Sequence, residues 1–283
     1  MTEPILQVRD LVVRYPGKKR GSFTEVIHGV SFDLHAGETL SLVGESGSGK
    51  TTIGRAILGL APVSSGSISF RGSAISRVAR SERRRIASDI QVVFQDPYTS
   101  LNPSMTVESI LAEPLEAAGV EGGRNRVNEV LDAVGLPGDA GRRYPREFSG
   151  GQRQRIAIAR ALALDPAVIV CDEPTSALDV TTQATVLELF KELQERTGVA
   201  YLFISHDLGV VNAISDRIAV LYQGSIVELG KAQQVATAPK HGYTHRLQMA
   251  APVADPKKQA ERRAERKRVL FEAAEQAERE RAS

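Results

Sequence analysis

Apolar positions along this chain change their spacing twice. Ile5–Val13 and Val30–Leu34 mix β-branched with polar residues between turn signals and read as short strands, separated by a Gly- and Lys-rich loop around PGKKRGS. Glu38–Val43 forms a compact apolar strand that runs directly into GESGSGKTT and then into the apolar-periodic stretch Ile53–Leu60, a strand, glycine-rich loop and helix in succession. Pro62 and a Ser-Ser-Gly turn close that helix, and Ile68-Ser69-Phe70 opens another strand. After the apolar strand Ile90–Phe94 the period becomes helical, over Val107–Ala118, Arg124–Val134 and Gln152–Leu164. Strand and helix then alternate again. AVIVCDEP predicts a buried strand, Thr181–Arg196 a helix, AYLFISHD a strand, Leu208–Ile214 a short helix, and IAVLYQG with SIVELG a hairpin. The pattern predicts an α/β nucleotide-binding core over residues 1–95 and 165–235, with a helical insertion at 96–164 and a C-terminal extension at 236–283.

The extension ends differently from the rest. From about Asp255 it is dominated by Ala, Glu, Arg and Lys, with only Val269, Leu270 and Phe271 apolar together, and reads as a solvated, frayed helix or a disordered tail. A partner-docking role centred on Leu270 and Phe271 is the alternative.

Composition narrows the classes. The chain has 283 residues, 42% hydrophobic and 25% charged, enough for one large domain or two modest ones. Lys and Arg exceed Asp and Glu by only 36 to 34, so no nucleic-acid partner is expected. No apolar run approaches the roughly 18 residues of a membrane span, and MTEPILQVRD lacks the features of a signal peptide. Those points predict a cytoplasmic protein and leave room for a peripheral seat on a membrane protein. The single cysteine, Cys171, excludes an internal disulfide and reads as a small core residue.

The chemistry begins at Gly44-Glu45-Ser46-Gly47-Ser48-Gly49-Lys50-Thr51, which fits the phosphate loop G-x-x-x-x-G-K-[ST] and is followed by Thr52. Its glycines let backbone N–H groups turn inward around the β- and γ-phosphates, Lys50 adds positive charge, and the Thr51 hydroxyl suits a Mg²⁺ ligand. The fold this implies is a P-loop NTPase core, with a mixed sheet, flanking helices and N-terminal antiparallel strands. A second pair, Asp172 and Glu173, emerges at the carboxyl end of the buried strand AVIVCD, where ligands bind in open α/β sheets. Asp172 is placed to hold Mg²⁺ through water and Glu173 to orient or deprotonate an attacking water. These motifs alone also suit a GTPase, a nucleotide kinase or a recombination-type ATPase. Phe148-Ser149-Gly150-Gly151-Gln152 separates them: Ser149 is a good helix N-cap, and two glycines leave neighbouring N–H groups open as a second anion-binding terminus.

In that order and spacing the motifs resemble the nucleotide-binding subunit of an ATP-binding cassette (ABC) transporter, over about residues 5–250. The resemblance assigns Tyr15 to adenine stacking, Gln95 to the Q-loop and Mg²⁺, Ser149 to Gln152 to the signature motif, Asp179 to the D-loop, and His206 to the γ-phosphate switch. It implies two cassettes sandwiching two ATP molecules, Ser149, Gly150 and Gly151 of one facing the phosphates held by Lys50 of the other. Phe148 stands where the family usually has Leu, a packing position. FQDPYTSLNPSMTVESILAEPL and HGYTHRLQMAAP are similar to the dipeptide, oligopeptide and nickel importer subfamily, with Gly242 in place of its usual proline. Such an importer implies a second ATPase subunit, two integral membrane permease subunits, a periplasmic or extracellular solute-binding protein, and a seat on the cytoplasmic face of the membrane. The alternatives are a soluble, non-transport cassette and an inactive regulatory one; intact Lys50, Glu173 and His206 speak against the last.

Overall fold

A computed structural model describes residues 3–250 apart from positions 18, 20, 121 and 122; the charged tail with Leu270 and Phe271 lies outside the described residues. Among the described residues ten strands form two sheets. β1 (Leu6–Pro16), β2 (Phe23–Leu34), β4 (Val63–Phe70) and β5 (Ser73–Ala74) make an antiparallel sheet in the order β2-β1-β4-β5. β3 (Thr39–Val43), β6 (Ile90–Val93), β7 (Val168–Asp172), β8 (Ala200–Ser205), β9 (Arg217–Tyr222) and β10 (Ser225–Lys231) make the second, in the order β10-β9-β3-β8-β7-β6. All its neighbours are parallel except β10, which returns antiparallel along β9.

The parallel strands are mostly apolar because both faces are covered, and the buried Thr39 and Ser41 hydroxyls of β3 pair with Gln194 and Ser215. Every residue of β3 and β8 is buried. Their period of two sorts them into two cores. Leu40, Leu42, Val168, Val170, Leu202 and Ile204 pack with the antiparallel sheet and with α1 (Lys50–Ile57). Val43, Ile169, Cys171, Tyr201 and Phe203 face the opposite way, towards the remaining helices. The remaining helices are α2 (Arg80–Ile86), α3 (Pro97–Ser100), α4 (Val107–Ala118), α5 (Gly123–Ala133), α6 (Gly150–Leu162), α7 (Val180–Thr197), α8 (Leu208–Ile214), α9 (Ala232–Thr237) and α10 (Gly242–Ala250), of which α2 and α3 contribute no side chain to that second core. In it, Phe190 of α7 meets Tyr201 and Phe203 edge-on, with ring centroids 5.3 and 5.9 Å away.

Several boundaries differ from the sequence pattern. β2 begins at Phe23, well before Val30, and α1 begins at Lys50, inside the glycine-rich loop. The Ser-Ser-Gly expected to turn instead lies within β4. The cause is an irregularity in β1: Leu6, Val8, Leu11 and Val13 are all buried, which requires the alternation to slip by one residue at Arg9–Asp10. Asp10 takes φ 46°, its N–H bonds Ser31 Oγ at 2.8 Å, and Gly66 crosses directly over its carbonyl at φ 77°. A side chain at Gly66 would overlap the Arg9 and Asp10 carbonyl oxygens.

Gly66→Ala is therefore expected to lower the unfolding free energy by about 2–3 kcal/mol in a denaturant titration. Gly72→Ala, also left-handed at φ 75° but facing open space, is expected to cost only about 1 kcal/mol.

Candidate functional site

Four parallel strands deliver their following residues to one edge of the sheet. β3 ends at Val43 and leads into the phosphate loop; β6 leads to Gln95, β7 to Asp172 and Glu173, and β8 to His206. The registers Val43↔Ser205, Asp172↔Ile204 and Val93↔Cys171 align these ends.

The loop is held by close backbone packing. A Cβ at Gly44 would overlap the Leu221 carbonyl oxygen of β9, and one at Gly49, which sits at φ 106°, would overlap the Ile27 side chain of β2. Gly224, in the β9–β10 turn, donates its N–H to Ser48 O at 3.0 Å. Glu45, Ser46 and Gly47 form the exposed crest, while Ser48, Gly49 and Lys50 are buried. Lys50 Nζ donates to Gly44 O at 2.7 Å and Glu45 O at 2.9 Å. Burial holds its ammonium below the usual lysine range, against the opposing pull of Glu173, Asp172 and Glu45. An ammonium resting on carbonyl oxygens without a carboxylate contact is ready to exchange them for a phosphate.

Thr51 Oγ1 donates to Asp172 Oδ1 at 2.9 Å. Burial raises the Asp172 carboxyl above the usual range, with the Thr51 hydrogen bond working against the rise. A hydroxyl and a partly desolvated carboxylate in contact are a hard oxygen pair that fits Mg²⁺. Thr52, next along α1, is half-buried.

Glu173 has φ 49°, a strained conformation for a non-glycine residue. Its N–H is held by Ile204 O at 2.9 Å. Its Oε2 accepts His206 Nδ1 at 3.1 Å and, more loosely, Gln95 Nε2 at 3.4 Å. The Glu173 side chain is 16% exposed and that of His206 52%. The arrangement is a carboxylate poised as a proton acceptor, oriented by an amide and an imidazole.

The structure thus brings Lys50, Thr51, Gln95, Asp172, Glu173 and His206 together. Tyr15 lies near the end of β1, partly buried against the same core as α1. It stands two residues beyond Val13, whose strand partner is the Ile27 that fills the space beside Gly49.

The signature residues lie elsewhere. Ser149 is exposed and caps α6: its Oγ accepts the Gln152 N–H at 3.3 Å, and Gln152 Oε1 accepts the Ser149 N–H at 3.0 Å. Gly151 packs so closely on Thr182 of α7 that any side chain there would overlap it. A Cβ at Gly150 would lie 3.5 Å from the Tyr98 hydroxyl. Asp179 caps α7 through the N–H groups of Thr181 and Thr182. Among the described residues no side-chain hydrogen bond joins Ser149, Gln152 or Asp179 to the Lys50–Glu173 cluster. Phe148 is buried, with the Arg143 guanidinium over its ring.

One contact had no signal in the sequence. Tyr243 Oη, 198 positions away, accepts the Glu45 N–H at 3.0 Å. From sequence HGYTH is legible only as a subfamily-like segment, because nothing local in it points to a phosphate loop.

Comparison with known proteins gives the family. The sequence profile of the ABC transporter family matches residues 27–176. The glutathione import ATP-binding protein of Salmonella typhimurium is 50% identical over 270 residues, covering 92% of this chain and 43% of that protein. The chain therefore spans less than half the length of the curated relatives it matches. Among solved structures, cbiO1 from Clostridium perfringens, part of an ABC transporter complex, has a TM-score of 0.72 at 26% identity, covering 83% of this chain and 91% of its own. A dimeric ATP-binding cassette bound to ADP and Pi in a post-hydrolysis state has a TM-score of 0.71 at 29% identity, covering 80% of this chain and 98% of its own. With the phosphate loop, the acidic pair and the strand-end histidine on one sheet edge, this chain belongs to the ABC transporter family as one of its ATP-binding cassettes.

Proposed function

We propose that the chain is the ATP-hydrolysing subunit of an importer of the dipeptide, oligopeptide and nickel type. The observation that carries the reading is the split site. Lys50, Thr51, Asp172, Glu173, Gln95 and His206 share one sheet edge, while the open terminus at Ser149–Gly151 bonds to none of them. In this reading Lys50 and the N–H groups from Gly47 to Thr52 hold the phosphates, and Tyr15 stacks on the adenine. Glu45 and Ser46 shape the loop's crest. Thr51, Asp172 and Gln95 hold Mg²⁺, which supplies charge neutralisation to the phosphate oxygens. Glu173 accepts the proton of the attacking water, with Gln95 and His206 orienting it and His206 turning to the γ-phosphate when the site closes.

Ser149, Gly150, Gly151, Gln152 and Asp179 then act on the nucleotide of a second cassette. Support comes from their shared face, where Gly151 meets Thr182 and Val180 is 83% exposed beside Asp179. The dimeric relative bound to ADP and Pi supports the same pairing. ATP that binds the closed pair better than the open monomers shifts the population towards closure, and hydrolysis reverses it.

Two permease subunits and an external solute-binding protein complete the importer, seated at the cytoplasmic face of a membrane. Among the described residues no helix is long and apolar enough to cross a membrane, which suits a peripheral subunit. The likeness to glutathione import proteins supports import and favours a small peptide as solute. Residues 1–95 with 165–235 form the nucleotide-binding unit of this reading, 96–164 the helical unit facing the permeases, and 236–283 the extension.

Three variants test this reading. Lys50→Ala is expected to abolish ATP binding in an equilibrium titration; native-like affinity would remove the phosphate-loop role. Glu173→Gln should still bind ATP while turnover falls about a hundredfold or more, and an unslowed enzyme would assign the base elsewhere. Ser149→Arg should bind ATP normally as a monomer yet form no ATP-dependent dimer by light scattering. For transport itself, tagged Glu173→Gln recovered from detergent-solubilised membranes with ATP and Mg²⁺ should bring down two polytopic proteins and a second cassette. Soluble partners alone would favour a non-transport cassette.

A further inference from the structure

The segment after β10 has no part in that chemistry, yet it reaches the phosphate loop. Tyr243, near the start of α10, is 2% exposed. Its ring lies against Tyr222 at the end of β9, with centroids 4.2 Å apart and planes at 36°. Its hydroxyl oxygen accepts the Glu45 N–H at 3.0 Å. The same peptide unit, Gly44 C=O to Glu45 N–H, presents its oxygen to Lys50 Nζ at 2.7 Å, and the next carbonyl, Glu45 O, lies 2.9 Å from that ammonium. One peptide plane is therefore held at both ends, by a tyrosine on its N–H and a lysine on its oxygen. Burial pushes the Tyr243 phenol above its ordinary range, so the hydroxyl stays neutral near pH 7 and serves as a steady acceptor.

The tyrosine is itself anchored. Glu228 of β10, 8% exposed, accepts the backbone N–H of Lys240 at 2.9 Å and of His241 at 3.1 Å, and the Gln234 side chain at 3.2 Å. Burial opposes ionisation of this carboxyl, but the hydrogen bonds outweigh it and hold it below the usual range. His241 Nδ1 then accepts the Tyr243 N–H at 3.2 Å. A buried carboxylate thus fixes the approach to α10, and Tyr243 carries that fixed point to the loop.

We infer that Tyr243 is a positioning residue for the phosphate loop, holding the Gly44–Glu45 peptide plane in the orientation that sets where the Lys50 ammonium rests. The inference rests on the reading of this loop as the ATP site. When phosphate arrives, Lys50 leaves the two carbonyls. With the N–H pinned, the plane cannot turn to follow it, so the ammonium moves alone and the loop keeps its shape. Without the hydroxyl the plane rotates, only a fraction of molecules hold a competent loop, and the apparent dissociation constant rises as the inverse of that fraction.

Tyr243→Phe keeps the ring against Tyr222 and removes only the acceptor. In the full chain, with a fluorescent ATP analogue and Mg²⁺, its Kd is expected to be about three- to tenfold above native, the scale of one lost buried hydrogen bond. Amide hydrogen exchange at Glu45 should quicken while the amides of β3 stay protected. Glu228→Gln, which touches neither loop nor nucleotide, should raise Kd in the same direction by less. Combined with Tyr243→Phe it should add nothing, because it acts through the tyrosine. An unchanged Kd for Tyr243→Phe would reduce the residue to a tether for α10 and overturn the inference. Failure of the native chain to bind ATP would overturn the ATP reading instead. Exchange at Glu45 would then still decide whether Tyr243 pins the plane: native-like protection in the Phe variant counts against it.

Discussion

A parallel strand buried on both faces can carry charged groups only at its ends, and that constraint arranges the site of this molecule. β3, β7 and β8 carry no charged side chain before Asp172, and the buried Thr39 and Ser41 hydroxyls of β3 pair with Gln194 and Ser215, because the antiparallel sheet and α1 cover one side and α6, α7 and α8 the other. A charged side chain within them would lose its hydration without a partner. Charged residues therefore begin where each strand leaves the cover, and parallel pairing puts those points on one edge. The phosphate loop, the Asp172–Glu173 pair, Gln95 and His206 meet there because sheet registry, rather than any affinity among them, sets their positions.

At that edge the chain bends sharply, and the bends carry the chemistry. Gly44 must be glycine because the β9 backbone occupies the space of its side chain. Glu173 has no such freedom, yet it adopts φ 49° with its N–H fixed to Ile204 O. That strain is compensated by the rigid sheet behind it, and it turns the carboxylate back towards His206 and Gln95. The β9–β10 turn and Tyr243 brace the phosphate loop from the far side through Ser48 O and the Glu45 N–H. The loop is thus a backbone fixed from several directions around one buried ammonium.

Much of this was legible in the sequence because the signals are local. The run from Leu40 to Thr51 spells strand, loop and helix, and the AVIVCDEP run spells a buried strand ending in acids. The helical spacing of Val127, Val130, Leu131 and Val134 gave α5 to within a residue. What was not legible depends on distant partners. The Ser-Ser-Gly of β4 looked like a turn because glycine at φ 77° usually marks one; here it accommodates an irregularity at Asp10 on the neighbouring strand. Helix α10 has little amphipathic pattern, since its fixed points are Tyr243 and the Glu228 anchor rather than a broad apolar face. From sequence, the glycines of the signature point to N–H groups left open. Gly151 has a second reason to lack a side chain, its contact with Thr182.

The cap on α6 explains why an open terminus survives at the surface. A helix leaves its first N–H groups without internal partners. Ser149 Oγ takes the N–H of Gln152, and the Gln152 side chain takes that of Ser149. This reciprocal pair stabilises the terminus by itself, so its folding does not depend on a ligand. The donors left over belong to Gly150 and Gly151, the two residues with no side chain to cover them. Among the described residues no hydrogen bond joins them to the chain's own phosphate loop, whose lysine is occupied by carbonyl oxygens of Gly44 and Glu45. Each half is stable yet chemically incomplete: one offers a cation and acids, the other bare donors. On the proposed reading, a phosphate chain between two cassettes is what both halves lack, and dimer closure follows from that complementarity.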